Sequence, residues 1–216
     1  MLLTRTWLRN RLDGIPLELA TTGFRAVTIV VYWLMFRDLI LSRRARWGAY
    51  RGPLLVAAIG PVLLAPVLFG DASLPDPPTK LVFASTSIVV GVREEFFYRG
   101  IVQNILDRRA GWWMAIVISN ALFTLYHYRA LGAPPFTFPV IVGYFAVGSA
   151  LGLIYLGTGS LVLVIAIHTV YDVLWALTPL IAHPGPFAWG VCLDVLGALL
   201  LLLWVARCRT AAVASR

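Results

Sequence analysis

Long apolar runs separated by short polar segments dominate the sequence and predict a bundle of membrane-spanning helices. Most of the runs approach the ~20 residues that a helix needs to cross a bilayer. The segments between them are short, so no separate soluble domain fits. The runs cover residues 26–41, 53–70, 81–106, 112–128, 140–156, 161–181 and 189–206. We therefore predict an all-α fold, a polytopic transmembrane helical bundle with six to seven spans.

The first run decides whether the number of spans is six or seven. Arg37 and Asp38 interrupt it, and they either pair with each other or lie at the membrane interface. The preceding residues mix Arg with Trp and Leu, which is typical of an interfacial amphipathic segment. We expect three regions: an N-terminal interfacial segment 1–25, a transmembrane domain 26–206 and a basic cytoplasmic tail 207–216.

Composition and charge agree with a membrane protein and argue against a nucleic-acid partner. The chain has 216 residues, of which 60% are hydrophobic and 13% charged, whereas a soluble domain carries about 25% charged residues. The formal net charge of +8 comes mainly from Arg in the connecting segments. Those in 43–51, in 108–109 and in the tail fall on one side of the predicted bundle, which we expect to be cytoplasmic. The N-terminal Arg residues agree with this only if the first run does not span.

Charged residues inside the run 81–106 form the first candidate functional motif, Arg93-Glu94-Glu95-Phe-Phe-Tyr-Arg99. A charge at the centre of a bilayer costs about 2.5–3.5 kcal/mol on insertion scales, and such residues usually pair and mark functional sites. Glu95 and Arg99 are four residues apart and can pair along one helix face. That pairing is expected to leave Glu94 free.

Two further runs carry polar residues at comparable depth. At ~1.5 Å per residue, Glu94 and His127 lie at similar distances from the turn at 108–109. His168 and Asp172 are four residues apart, so they share one face of a third helix. Asp194 stands alone near the start of the last run, and we interpret it as an interfacial residue.

This set of side chains favours hydrolysis. A carboxylate with a His partner activates water as a general base, and a second His with an acidic partner can stabilise an oxyanion. Two alternatives stay open at this point. Buried Glu, His and Asp residues also form proton or ion pathways, and in a non-enzymatic immunity or scaffold protein the same charges would only lock helices together.

The three motifs together resemble those of the CPBP family. They read Glu94-Glu95-x-x-x-Arg99, Phe123-x-x-x-His127 and His168-x-x-x-Asp172. The family comprises the CAAX-processing type II endopeptidases and bacterial relatives similar to lysostaphin resistance protein A. The resemblance covers about residues 80–180 and agrees in motif order, in spacing and in placement on three separate spans.

The resemblance implies an intramembrane endopeptidase and a role for each motif residue. Glu94 would be the catalytic base and His127 would position the water, while His168 and Asp172 would form the oxyanion site. Supporting roles are implied for Glu95 and Arg99. The implied partners are the lipid bilayer and a membrane-anchored peptide or protein substrate. The Arg bias of the chain suggests a bacterial cytoplasmic membrane.

A metal cofactor is the remaining question that the sequence raises. The family has been described both as glutamic and as metal-dependent proteases, and the chain contains no HExxH spacing. Two His and one Glu form a known zinc ligand set, which Glu94, His127 and His168 could supply. We expect a metal-free site and keep zinc as the alternative.

Overall fold

The structure of the chain, a computed structural model, describes residues 14–43, 52–69, 77–131, 138–181 and 187–214. Every regular element in these ranges is helical, which confirms the predicted all-α fold. The elements are α1 (Gly14–Ile40), α2 (Pro53–Phe69), α3 (Pro77–Glu95), a π-helical segment (Phe96–Gln103), α4 (Asn104–Leu131), α5 (Phe138–Thr158), α6 (Leu161–Ile181) and α7 (Phe187–Ala214).

The helices have the length and composition of an integral membrane protein. Within the described ranges, three stretches are long and apolar enough to cross a membrane: Gly14–Ile40, Phe138–Thr158 and Ala188–Cys208. Leu54–Phe69 and Leu161–Leu177 are shorter apolar helices. The polar motif residues lie on α3, on its π-helical continuation, on α4 and on α6.

Helix α1 begins at Gly14, twelve residues before the predicted start of the first run. The predicted region boundary at residue 25 therefore falls inside α1, and the three-part division of the chain stays a prediction. Arg37 Nε lies 3.7 Å from Asp38 Oδ1, and both side chains are exposed. The Arg residues before Gly14 lie outside the described residues, as do most of the basic segment 43–51 and the last two residues of the tail.

The predicted turn after the charged motif is a break in α4 at Gly111. This residue has φ 82° and ψ 165°, a conformation that glycine adopts without steric cost. The break separates a short arm, residues 104–110, from the long part of α4. Near the start of the arm, Arg43 Nε donates to Asn104 Oδ1 over 2.8 Å, and the Arg43 guanidinium also pairs with Asp107. Residue 43 and the arm thus lie at one end of the bundle, as the sequence predicts.

Helix α3 lies between α1 and α6, while α4 packs on α5 and α7 packs on α2 and α5. The apolar core lies where α2, α5, α6 and α7 meet. Its largest fully buried side chains include Tyr155, Leu151, Ile154, Leu201, Val62 and Val164. This core holds α5 and α6 in place. Helix α3 packs on α6, and its π-helical continuation contacts both α5 and α6, so the polar motifs meet beside the core.

Candidate active site

The two adjacent glutamates end α3, and each faces a different helix. Consecutive residues of a helix point about 100° apart, because a turn takes ~3.6 residues. Glu94 therefore faces α4, and Glu95 faces α6. Both side chains are buried.

Glu94 is held on one oxygen and open on the other. Its Oε1 accepts a hydrogen bond from Nη1 of Arg93 over 3.1 Å, and the same nitrogen donates to the Tyr126 hydroxyl over 3.0 Å. Its Oε2 lies 3.6 Å from Nε2 of His127 and has no hydrogen-bond partner among the described residues. Glu94 was expected to have no cationic partner. This is wrong for its Oε1, because the neighbouring Arg93 donates a hydrogen bond to it.

His127 is fixed in orientation by its own helix and by two rings. Its Nδ1–H donates to the backbone carbonyl of Phe123 over 2.9 Å, since a carbonyl can only accept. In the neutral imidazole, Nε2 then keeps its lone pair, and this nitrogen faces Glu94. The rings of Tyr144 and Phe123 lie 4.6 Å and 4.3 Å from the imidazole centroid.

Glu95 joins α3 to α6 through a second set of contacts. Nδ1–H of His168 donates to its Oε1 over 2.7 Å, and Nε of Arg99 lies 3.1 Å from its Oε2. The predicted pairing of Glu95 with Arg99 is confirmed, whereas the contact with His168 was not predicted. Asp172 Oδ2 lies 3.7 Å from Nε2 of His168, on the helix face that the spacing predicts.

The π-helical segment aims a line of buried donors at α5. Nη2 of Arg99 donates to the Gly148 carbonyl over 2.7 Å, and Nε2 of Gln103 donates to the Gly152 carbonyl over 2.9 Å. A π-helix bonds i to i+5 and so has a wider turn than the α-helix. Arg99 and Gln103, which are four residues apart, can therefore both point toward α5. A Cβ at Gly148 would lie 3.0 Å from Oδ1 of Asn120 on α4. The absence of a side chain at Gly148 thus allows α4 and α5 to approach closely.

Several polar residues of this region were not predicted from the sequence. Gln103 follows Arg99 by four residues, and Asn120 precedes His127 by seven, so the helical period could have marked both. Tyr126 and Tyr144 carry no such signal, because Tyr is also common at membrane interfaces. Their place beside Glu94 and His127 follows from the packing of α4 on its neighbours.

The interpretation of Asp194 as an interfacial residue is wrong. Its side chain is buried, with 2% relative exposure, and its Oδ2 accepts a hydrogen bond from the Tyr171 hydroxyl over 3.2 Å. Tyr171 belongs to α6 and Asp194 to α7, so the contact joins two helices. A partner on another helix cannot be found from spacing within one run.

The side chains as placed do not fit a zinc site. In the ranges that the structure describes, no three His, Cys, Asp or Glu residues converge as metal ligands. His127 turns its Nε2 toward Glu94, whereas His168 turns its Nε2 toward Asp172. The proposed ligand set of Glu94, His127 and His168 is therefore split between two neighbouring groups.

One comparison with known proteins finds a family match over part of the chain. Residues 76–174 match the family model described as Type II CAAX prenyl endopeptidase Rce1-like. No curated protein and no solved structure matches the chain. The matched range runs from the start of α3 into α6 and contains all three motifs. Residues 76–174 are therefore similar to the Rce1-like type II CAAX prenyl endopeptidases, which confirms the resemblance to the CPBP family.

Proposed function

We propose that the protein is an intramembrane endopeptidase that uses a water activated by Glu94. The observation that carries the proposal is the pair of Glu94 Oε2 and His127 Nε2, which lie 3.6 Å apart, with Glu94 buried and His127 partly buried. Both atoms are hydrogen-bond acceptors in this arrangement. Two acceptors at this distance can bind the two hydrogens of one water molecule, which leaves a lone pair of its oxygen directed away from them.

The peptide bond is then cleaved by addition and elimination. The water oxygen attacks the carbonyl carbon while Glu94 takes a proton from it as general base. The tetrahedral intermediate collapses with cleavage of the C–N bond, and Glu94 returns the proton to the leaving amine nitrogen. Arg93 holds the second oxygen of Glu94 and keeps the carboxylate in one orientation.

His168 is the group best placed to stabilise the oxyanion. Because its Nδ1–H is given to Glu95, it offers an Nε2–H only in the doubly protonated form. The carboxylates of Glu95 and Asp172 on either side compensate the charge of that form. Asp172 acts through His168 in this proposal, and Arg99 balances Glu95.

The substrate is a membrane-anchored peptide or protein, and the enzyme works in a bilayer, in our proposal the bacterial cytoplasmic membrane. Cleavage near the substrate C-terminus and cleavage within a transmembrane segment are both compatible with this chemistry. The mechanism uses no metal ion. Elemental analysis of the purified protein tests that point, and stoichiometric zinc that is lost together with activity on chelation would contradict it.

The decisive experiment compares variants of the two water-binding residues. Membrane proteomics of cells with the wild type or Glu94→Gln identifies proteins whose C-termini stay uncut, and a labelled substrate is then followed in proteoliposomes. We expect Glu94→Gln and His127→Ala each to lower the cleavage rate by about 10²–10⁴-fold, the usual contribution of general acid–base catalysis.

Asp38→Asn is the matched control, because Asp38 is an exposed carboxylate of α1. Cleavage at the wild-type rate in both Glu94→Gln and His127→Ala would refute the proposal. Proton flux through reconstituted vesicles that depends on Glu94 without any proteolysis would favour the ion-pathway alternative instead. Full biological activity of Glu94→Gln would favour the scaffold alternative.

A further inference from the structure

Helix α1 carries a buried ion pair that the proposed mechanism does not use. Nη1 of Arg25 donates to Oε1 of Glu18 over 2.5 Å, and the Arg25 side chain is 7% exposed. The residues are seven apart, two turns along one helix face. Buried ionic groups in a membrane helix are costly and mark functional sites more often than not.

Glu18 is fixed from three directions, and it fixes Arg25 in turn. Its Oε1 also accepts hydrogen bonds from Thr22 over 3.4 Å and from Thr86 of α3 over 3.0 Å. The Glu18 carboxylate is thus attached to α3, the helix that ends in the catalytic motif. The Arg25 guanidinium is held by this anchored carboxylate.

The contacts of α1 place Arg25 at the level of the catalytic glutamate. Glu18 meets Thr86 at the middle of α3, and Tyr32 stacks on Phe97 of the π-helical segment with ring centroids 5.5 Å apart. Arg25 lies midway between Glu18 and Tyr32 on α1. It is therefore beside residues 86–97, the end of α3 and the start of the π-helical segment, a stretch that contains Glu94.

Electrostatics agrees with this placement. The positive charge of Arg25 acts on the carboxylates of both Glu94 and Asp172. Arg25 thus lies within electrostatic range of both carboxylates, close to where a substrate peptide bound at Glu94 must lie. Each motif glutamate already has its own cation, Arg93 for Glu94 and Arg99 for Glu95.

Arg25 has donors for a further acceptor. Both hydrogen bonds that it gives to side chains in the described part of the chain start from Nη1. A guanidinium carries five N–H groups in a planar fork that matches a carboxylate. A peptide bound at Glu94 brings one carboxylate that is always present when the cut lies near its end, namely the C-terminal carboxylate.

We propose that Arg25, held by Glu18, binds the C-terminal carboxylate of the substrate. This inference rests on the proposed function and chooses between its two substrate classes. The interior of a transmembrane segment offers no anion to a buried guanidinium, so the enzyme would cut a short distance before a free C-terminus.

The test uses two peptides that differ in one group. Both carry an S-farnesyl cysteine followed by three residues, chosen for the prenyl endopeptidase family of the chain; one ends in a carboxylate and the other in a carboxamide. Binding is measured on the Glu94→Gln protein and cleavage on the active enzyme, both in detergent micelles. We expect the carboxylate form to bind about tenfold or more tightly, since a hydrogen bond to a charged group is worth about 1.5–3 kcal/mol.

Variants of the pair separate recognition from folding. Arg25→Gln should bring the ratio between the two peptides close to one, and Arg25→Lys should keep part of it. The double variant Glu18→Gln with Arg25→Gln replaces the ion pair with a neutral, hydrogen-bonded pair. If Arg25 only stabilises the fold, this variant should regain the preference for the carboxylate peptide. Binding by Arg25 predicts that the preference stays lost. Arg37→Gln is the control, because Arg37 is an exposed cation of the same helix.

Each outcome decides a separate question. Three results would overturn the inference. They are equal binding of the two peptides when Glu18 and Arg25 are intact, no binding of either peptide, and a preference for the carboxylate that survives in Arg25→Gln. Cleavage of both peptides without a preference would do so while supporting the proposed function. A preference in binding that depends on Arg25, without any cleavage by the active enzyme, would support the inference and refute the proposed activity.

Discussion

Glu94 and Glu95 are adjacent in sequence but have different surroundings, and this difference assigns them different tasks. In Glu95, Oε1 accepts a hydrogen bond from His168, and Oε2 lies 3.1 Å from Nε of the Arg99 cation. Glu94 keeps one oxygen open beside His127. Both oxygens of Glu95 thus face a donor or a cation, whereas Oε2 of Glu94 faces Nε2 of His127. We therefore propose Glu94 as the base and Glu95 as the structural residue.

Replacing Glu95 should therefore cost more stability than replacing Glu94. Glu95→Gln leaves Arg99 as a buried cation and weakens the bond to His168, a change that typically costs about 3–5 kcal/mol. Glu94→Gln should cost less, because Arg93 retains the Tyr126 hydroxyl and lies over its ring at 4.8 Å. Thermal unfolding of both variants in the same detergent measures the difference.

The double variant Glu95→Gln with Arg99→Gln provides the control for this prediction. Removing both partners of a buried pair costs less than removing one, so the double variant should be more stable than Glu95→Gln alone. Equal unfolding temperatures for Glu94→Gln and Glu95→Gln would contradict the division of tasks between the two glutamates.

At the residue scale, the sequence predicted contacts within one helix and missed most contacts between helices. The spacing of four predicted Glu95 with Arg99 and the shared face of His168 and Asp172. It could not predict that His168 bonds Glu95, because that contact depends on how α3 and α6 are rotated against each other. Asp194 was misinterpreted for the same reason, since its partner lies on another helix.

At the scale of elements, the close approach of α3 and α6 sets the geometry of the site. Gly91 lies one turn before Glu95, and a Cβ there would be 2.8 Å from Oγ1 of Thr169 and 3.4 Å from the Ile165 carbonyl oxygen. The absence of a side chain at Gly91 thus allows the 2.7 Å bond between His168 and Glu95. Hydropathy predicted both helices, but neither their distance nor the π-helical turn, which depend on packing.

Gly91→Ala should lower activity more than it lowers stability. The added methyl group should push α3 away from α6 and so displace the Glu95 carboxylate from His168. A displacement of about 1 Å at a catalytic site can lower the rate about 10²-fold. Thr169→Ala removes the nearest atom, so the double variant should regain most of the activity. Cleavage of the labelled substrate measures both effects.

Gly60→Ala is the matched control for that substitution. Gly60 lies inside α2, and nothing lies within 4 Å of a Cβ built there. Wild-type activity of Gly91→Ala, or failure of Thr169→Ala to improve it, would show that the contact between α3 and α6 does not position the site.

At the scale of the whole molecule, apolar runs predicted the helical bundle and its order of elements. The beginning of α1 was the exception, because Arg mixed with Trp and Leu in the first residues favoured an interfacial segment up to residue 25. In the structure, Glu18 and Arg25 of this region neutralise each other, with Arg25 buried and Glu18 attached to Thr86 of α3. A hydropathy rule that counts each charged residue separately cannot recognise that Glu18 and Arg25 pair with each other inside the bundle.

The orientation of the bundle follows from the distribution of Arg and can be tested directly. Arg43 and Asp107 lie at one end, together with Arg108 and Arg109. This end should be cytoplasmic, because connecting segments rich in Lys and Arg stay on that side of the membrane. Pro78 is the second residue of α3 and should lie at the opposite end. Helix α3 and the π-helical segment together are long enough to cross the ~30 Å hydrocarbon core.

Single cysteines report the two ends. In a background with Cys192→Ser and Cys208→Ser, Ala110→Cys marks the Arg-rich end and Pro78→Cys the other; both positions are exposed. A maleimide that does not cross membranes should label Pro78→Cys in intact cells or spheroplasts and Ala110→Cys only in inverted vesicles. Retained cleavage of the substrate ensures that the variants fold. The reverse pattern would place the Arg-rich end outside, and labelling of both positions from one side would mean that α3 and its continuation do not cross the bilayer.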